Sequence, residues 1–179
     1  MKCKICNREA KQDHDGYNEI VNCKYCGTYK FAMSYEPDTY GDKSNFYKVS
    51  SYIREQNDLF NHMSLIDNDK FNEIVHMKDK KVKEKMDLLI IYLSTCSEII
   101  ALEEETLIKC WLKDDSELNK IFQYLIDKEF VKGSCHLSTG GYDFIFNSLT
   151  FKGIEYIEQL EEPNKDSKNI FIAFNFTEN

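Results

Sequence analysis

With 179 residues, 42% of them hydrophobic and 30% charged, the chain has room for one ordinary domain or a few small modules with separate cores. No apolar run approaches the ~20 residues of a bilayer-spanning helix and no signal peptide opens the sequence, which argues against a membrane protein and sets the expectation of a cytoplasmic location. The net charge of −8 argues against a protein that grips nucleic acid over its whole surface.

Seven cysteines are present, four of them in two Cys-x-x-Cys pairs, and in a chain kept in a reducing compartment that pattern favours metal over disulfides. The pairs read Cys3-Lys4-Ile5-Cys6 and Cys23-Lys24-Tyr25-Cys26-Gly27. Each suits a tight turn that directs two thiolates at one cation, and four thiolates complete the tetrahedral shell that zinc prefers. Gly27 fits a turn that needs positive φ, and Asn7 serves similarly after Cys6. Strand-like stretches lie between and after the pairs, at Glu19-Ile20-Val21-Asn22 and Thr28-Tyr29-Lys30-Phe31. The expectation for residues 1–35 is a zinc ribbon holding one structural Zn2+ on Cys3, Cys6, Cys23 and Cys26, with the metal supplying much of the folding energy. A thioredoxin-like redox pair lacks its strand–helix setting, an iron–sulfur cluster is a weaker alternative, and four sulfur ligands leave no open position for a catalytic zinc. His14, between the pairs, reads as a solvated loop residue rather than a substitute ligand.

Residues 36–79 read as a helical connector. Turn chemistry at 36–42 marks its start, and a helix over 44–56 carries Phe46, Val49, Tyr52 and Ile53 on one stripe. A short helix over 69–77 and a longer one over 80–95 follow, the latter with Val82, Met86, Leu89 and Leu93 at helical spacing. His62 and His76 are too isolated to form a metal site.

Residues 80–162 read as a winged-helix domain. Asp114 and Glu117 form a capping-box pattern at the start of a helix that buries Leu118, Ile121, Phe122 and Leu125. A short strand at 130–133 and a returning strand over 142–149 make the wing, and a closing helix starts at Thr150 with Ile154, Ile157 and Leu160 inward. The usual use of such a domain is to seat a helix in the major groove, but residues 81–162 hold nine lysines against sixteen carboxylates. That balance favours protein contacts. Cys96, Cys110 and Cys135 read as small buried residues, and Cys135-His136 is too slight for a second metal half-site.

Residues 163–179 read as a polar linker followed by the apolar strand Ile170-Phe171-Ile172-Ala173-Phe174-Asn175-Phe176, the kind of strand that a parallel α/β sheet buries on both faces. It is expected to begin a domain missing from this chain or supplied by a partner. The expected fold class is therefore mainly α with small β: an N-terminal zinc ribbon, then helices, then a winged-helix domain.

Taken in order, the ribbon cysteines with Gly27, Ser50-Ser51-Tyr52-Ile53-Arg54-Glu55, Lys85-Met86-Asp87-Leu88-Leu89, Leu149-Thr150-Phe151-Lys152-Gly153 and the strand at 170–176 carry a resemblance. The chain resembles the N-terminal region of bacterial proteins that place a zinc ribbon and winged helix before a TIR-like or nucleoside-deoxyribosyltransferase-like effector domain. The resemblance implies a non-catalytic regulatory or sensor module, in antiphage defence, controlling an effector that attacks an N-glycosidic bond in NAD or nucleotides. None of the effector's catalytic residues can be assigned to this chain, and no catalytic set or phosphate-binding glycine loop is legible in it. The expected partners are a protein or the chain's own effector domain, with a homo-oligomer as a further option. Nucleic acid is disfavoured by the acidic charge, and the alternative function is a stand-alone winged-helix transcriptional regulator.

Overall fold

The computed structural model describes residues 1–32, 43–139 and 141–161, which fall into two units: Met1–Lys80, and a second that begins at Lys81. The turn expected at 36–42 and the linker and strand expected at 163–179 lie outside the described residues.

In the first unit, strands β1 (Ala10–His14), β2 (Glu19–Cys23) and β3 (Gly27–Phe31) form an antiparallel meander, and the short β4 (Leu65–Ile66) pairs with β3 in parallel. Asp15 fastens the β1–β2 turn, accepting from the N–H groups of Tyr17 and Asn18. Lys30 Nζ, 2.7 Å away on β3, holds the Asp15 carboxyl well below its ordinary range. Alternation puts Val21, Cys23, Tyr29 and Phe31 on the buried face. Helices α1 (Phe46–Phe60) and α2 (Asn68–His76) supply Val49, Ile53, Phe71 and Ile74 to that same core, with Phe46 edge-on to Phe71 at 5.2 Å. Asp67 caps α2 by accepting from the Lys70 N–H. The stretch after the ribbon thus shares the ribbon's core, one hydrophobic cluster running from Cys3 to Val75.

The second unit runs α3 (Val82–Ser94), β5 (Ile100–Ala101), α4 (Glu104–Lys109), α5 (Asp115–Asp127), β6 (Val131–Ser138), β7 (Gly141–Leu149) and α6 (Phe151–Glu161). Its sheet has the order β5-β7-β6, antiparallel throughout, with a bulge at Lys132/Gly133. Asp114 accepts from the Glu117 N–H and caps α5, which buries Leu118, Ile121, Phe122 and Leu125. Glu117 does not close the box on its cap residue. Its carboxylate accepts from the Lys113 N–H and pairs at 2.8 Å with Lys85 Nζ, an ammonium that is only 1% exposed. That counter-charge lets α3 turn a lysine inward: its buried face is Lys85, Leu89, Ile90 and Leu93, and Val82, expected on the inner stripe, is 67% exposed. At α6, Gly153 passes so close to Phe130 that an added Cβ would lie 2.1 Å from its carbonyl oxygen, and Thr150 Oγ1 accepts from the Gly153 N–H to start the helix. Ile157 is buried there, while Ile154 faces solvent.

The expected fold class, mainly α with small β, is corrected by these elements. Among the described residues helix accounts for 45% and strand for 25%, in six helices and two sheets of four and three strands, so they are not mainly α. The expected two-stranded wing is part of a three-stranded sheet, because Ile100 and Ala101 pair with Phe146 and Ile145 on the outer edge of β7.

Candidate metal centre

Each Cys-x-x-Cys pair sits on a turn whose backbone is closed by short contacts. At the first, the Cys3 N–H donates to the Arg8 carbonyl at 2.6 Å and the Asn7 N–H to the Cys3 carbonyl at 2.9 Å, with Asn7 at φ +59°. At the second, Cys23 ends β2, Cys26 immediately precedes β3, and Gly27 takes φ +95° directly after the last thiol. Asparagine and glycine tolerate this left-handed region better than other residues.

The turns bring four sulfurs together. All four Sγ atoms lie within 4.8 Å of one another, with Cys3–Cys26 at 3.8 Å and Cys6–Cys23 at 3.6 Å. Around one tetrahedral ion with metal–sulfur bonds of about 2.3 Å, sulfurs lie about 3.8 Å apart, so the spacing fits a single ion. Cys3, Cys23 and Cys26 are buried and Cys6 half-buried. His14 is exposed at the end of β1 and is not in the cluster, and neither are Cys96, Cys110 and Cys135. Of the three cysteines expected to be buried, Cys110 is, while Cys96 and Cys135 are half-buried; burial pushes the Cys110 and Cys96 thiols up, and Cys135 Sγ donates to Asn119 Oδ1 at 2.9 Å.

Four thiols this close cannot all ionise on their own. The hydrogen bond with Cys23 raises both Cys6 and Cys26, and burial adds to the effect. Cys23 is lowered, chiefly by the hydrogen bond from Cys26. At Cys3 the Cys23 contact raises the pKa, but hydrogen bonds involving Cys26 and Cys6 outweigh it and bring it to about 6. A bound dication removes this conflict by letting every sulfur be a thiolate. Tyr29, whose hydroxyl is 3.2 Å from Cys3 Sγ, is held neutral by its burial and by the Cys3 charge, so it serves as a donor to that sulfur.

The chain matches no family model, no curated protein and no solved structure.

Helix α1 supplies a polar stripe, invisible in the sequence, that grips the second turn. Ser50 Oγ lies 3.4 Å from Cys26 Sγ. One helical turn on, Arg54 donates through Nε to the Tyr25 carbonyl at 2.9 Å and through its terminal nitrogen to the Lys24 carbonyl. Asn57, nearly one turn further, accepts from the Thr28 N–H and donates to the carbonyls of Thr28 and His62 at 3.0 and 2.8 Å. The positions i, i+4 and i+7 share one helix face, so α1 meets one sulfur and the backbone of the turn along its length. Gly27 is required here twice over: its φ is positive, and a Cβ would fall 2.1 Å from Asn57 Oδ1.

Replacing Asn57 by alanine leaves these backbone groups without their partner while sparing every sulfur. The expected result is about a 10- to 100-fold loss of metal affinity, as for other groups that orient metal ligands, with about 1–3 kcal/mol lost from the first unit. Competition against a chromophoric chelator measures the first quantity and thermal denaturation the second.

Proposed function

We propose that this chain is a non-catalytic, zinc-dependent regulatory module that controls or assembles an effector, supplied by the same polypeptide or by a partner. The observation that carries the reading is the donor set: four thiols from two turns, three of them buried, around space for one ion. Four protein ligands leave no coordination position for substrate or water, which is the arrangement of structural zinc rather than of a hydrolytic centre. Zinc is preferred among metals for a tetrahedral all-sulfur site of this kind.

The charge distribution supports a protein-facing role for the second unit. Residues 81–161 hold nine lysines against fifteen carboxylates, so phosphate would be repelled and basic or neutral protein surface favoured. The resemblance described above names the effector class, a TIR-like or nucleoside-deoxyribosyltransferase-like domain acting on an N-glycosidic bond, in an antiphage role. No helix among the described residues is long and apolar enough to cross a membrane.

The experiment is to assay NAD cleavage by this chain alone and by the chain joined to such an effector, with and without Cys23→Ser. The chain alone is expected to be inactive, and Cys23→Ser to change the effector's activity by abolishing control. Turnover by the isolated chain, or an effector indifferent to the substitution, would overturn the proposal.

A further inference from the structure

The cations of the first unit are not spread evenly. Lys2, Arg8, Lys11 and Lys24 line one open groove of about 1070 Å³ on the ribbon, with Glu9 the one carboxylate in its wall. Lys2, Arg8, Lys11 and Lys24 are all exposed. The topology gathers them. The backbones of Lys2 and Glu9 pair in an isolated antiparallel bridge across the first turn, Lys11 faces Asn22 across the β1–β2 ladder, and Lys24 follows the last residue of β2. The ring of Tyr25 lies half-buried in the same wall, with the Arg8 guanidinium 4.9 Å and Lys24 Nζ 5.5 Å from its centroid. The backbone of Tyr25 is immobilised from behind by Arg54, so the ring stands on a fixed support.

We propose that this groove binds single-stranded nucleic acid, with Lys2, Lys11 and Lys24 on phosphates and the Arg8–Tyr25 pair as a stacking plane for a base. A cationic groove with an aromatic or guanidinium plane in its wall is the combination that single strands use, because every base has a π-face. Asn22 adds an amide able to meet a base edge. A duplex would present a wide phosphate surface to a protein of net charge −8, whereas a single strand needs only the groove itself. The inference is independent of the regulatory reading, since it concerns binding by this chain and not control of an effector.

Fluorescence anisotropy with a labelled oligothymidylate and a labelled oligouridylate tests it. Saturable binding is expected at about 50 mM salt, with a log–log salt slope of about −2 to −3 for three or four phosphate contacts on a single strand. Lys11→Glu with Lys24→Glu should weaken binding at least tenfold, and Tyr25→Ala by about tenfold, both with zinc content retained. Lys11→Gln serves if the double reversal disturbs the fold. Lys128→Glu with Lys132→Glu, in the second unit, should leave binding unchanged. Four outcomes would overturn the proposal: no saturable binding, an equal loss from the second-unit pair, equal affinity for duplex or inorganic polyphosphate, or a reversal that lowers zinc content yet spares oligonucleotide binding. The last would mean that these cations serve the charge of the thiolates.

Discussion

Replacing Cys26 by serine is expected to unfold the first unit, helices included, and to leave the second unit folded. Cys26 is fully buried, its sulfur is within 3.8 Å of Cys3 Sγ, and it touches Ser50 on α1. Structural zinc contributes about 10–16 kcal/mol in small metal-dependent domains, as much as the entire stability of an ordinary one. The core that remains without it is small. Val21, Tyr29 and Phe31 of the sheet pack in one cluster with Val49, Ile53, Phe71 and Ile74, so the helices lose their support when the sheet opens. A strong chelator should have the same effect as the substitution. Hydrogen exchange by fragment measures it: amides of 46–76 should lose protection together with those of 10–31, and those of 115–127 should keep theirs. Protected helices beside an open ribbon would show that the first unit does not depend on its metal.

Phe122→Ala makes the complementary cut, with a cost of about 3–5 kcal/mol confined to the second unit. Phe122 is fully buried on α5 and meets Phe144 of β7 edge-on at 6.2 Å. The sheet is shaped to receive the ring: a Cβ at Gly133 would lie 2.7 Å from Phe122 Cζ and 2.5 Å from the Ile145 carbonyl oxygen. Truncating the ring therefore opens a cavity flanked by backbone, which can collapse little. In a thermal melt the transition of the second unit should move down sharply while metal binding by the four cysteines stays at its wild-type level. Loss of metal binding in this variant would mean that the two units fold as one.

The two cysteine pairs were legible in the sequence because ligand type and spacing are themselves the chemistry. The α5 cap at Asp114 and the four apolar residues behind it were legible for a similar reason, since cap and period are local. Strands β4 and β5, at two residues each, are too short to show any alternation, and β1 carries one apolar residue, Ala10, in five. Missing them is what made the chain look mainly α. The stripe Ser50, Arg54, Asn57 was hidden because polar residues at helical spacing read as a solvent face. Ser50 meets the Cys26 sulfur, and the targets of Arg54 and Asn57 are backbone groups of Lys24, Tyr25 and Thr28, which leave no mark on the sequence. Lys85 was hidden in the same way, since its inward turn depends on Glu117, 32 residues away.

The four sulfurs of Cys3, Cys6, Cys23 and Cys26 are placed to hold one ion, and X-ray absorption at the zinc edge on the purified chain tests this. The expected result is one zinc per chain with four sulfur neighbours at about 2.3 Å and no oxygen or nitrogen in the shell. A chain without zinc, or a shell in which water or His14 replaces a thiolate, would contradict it.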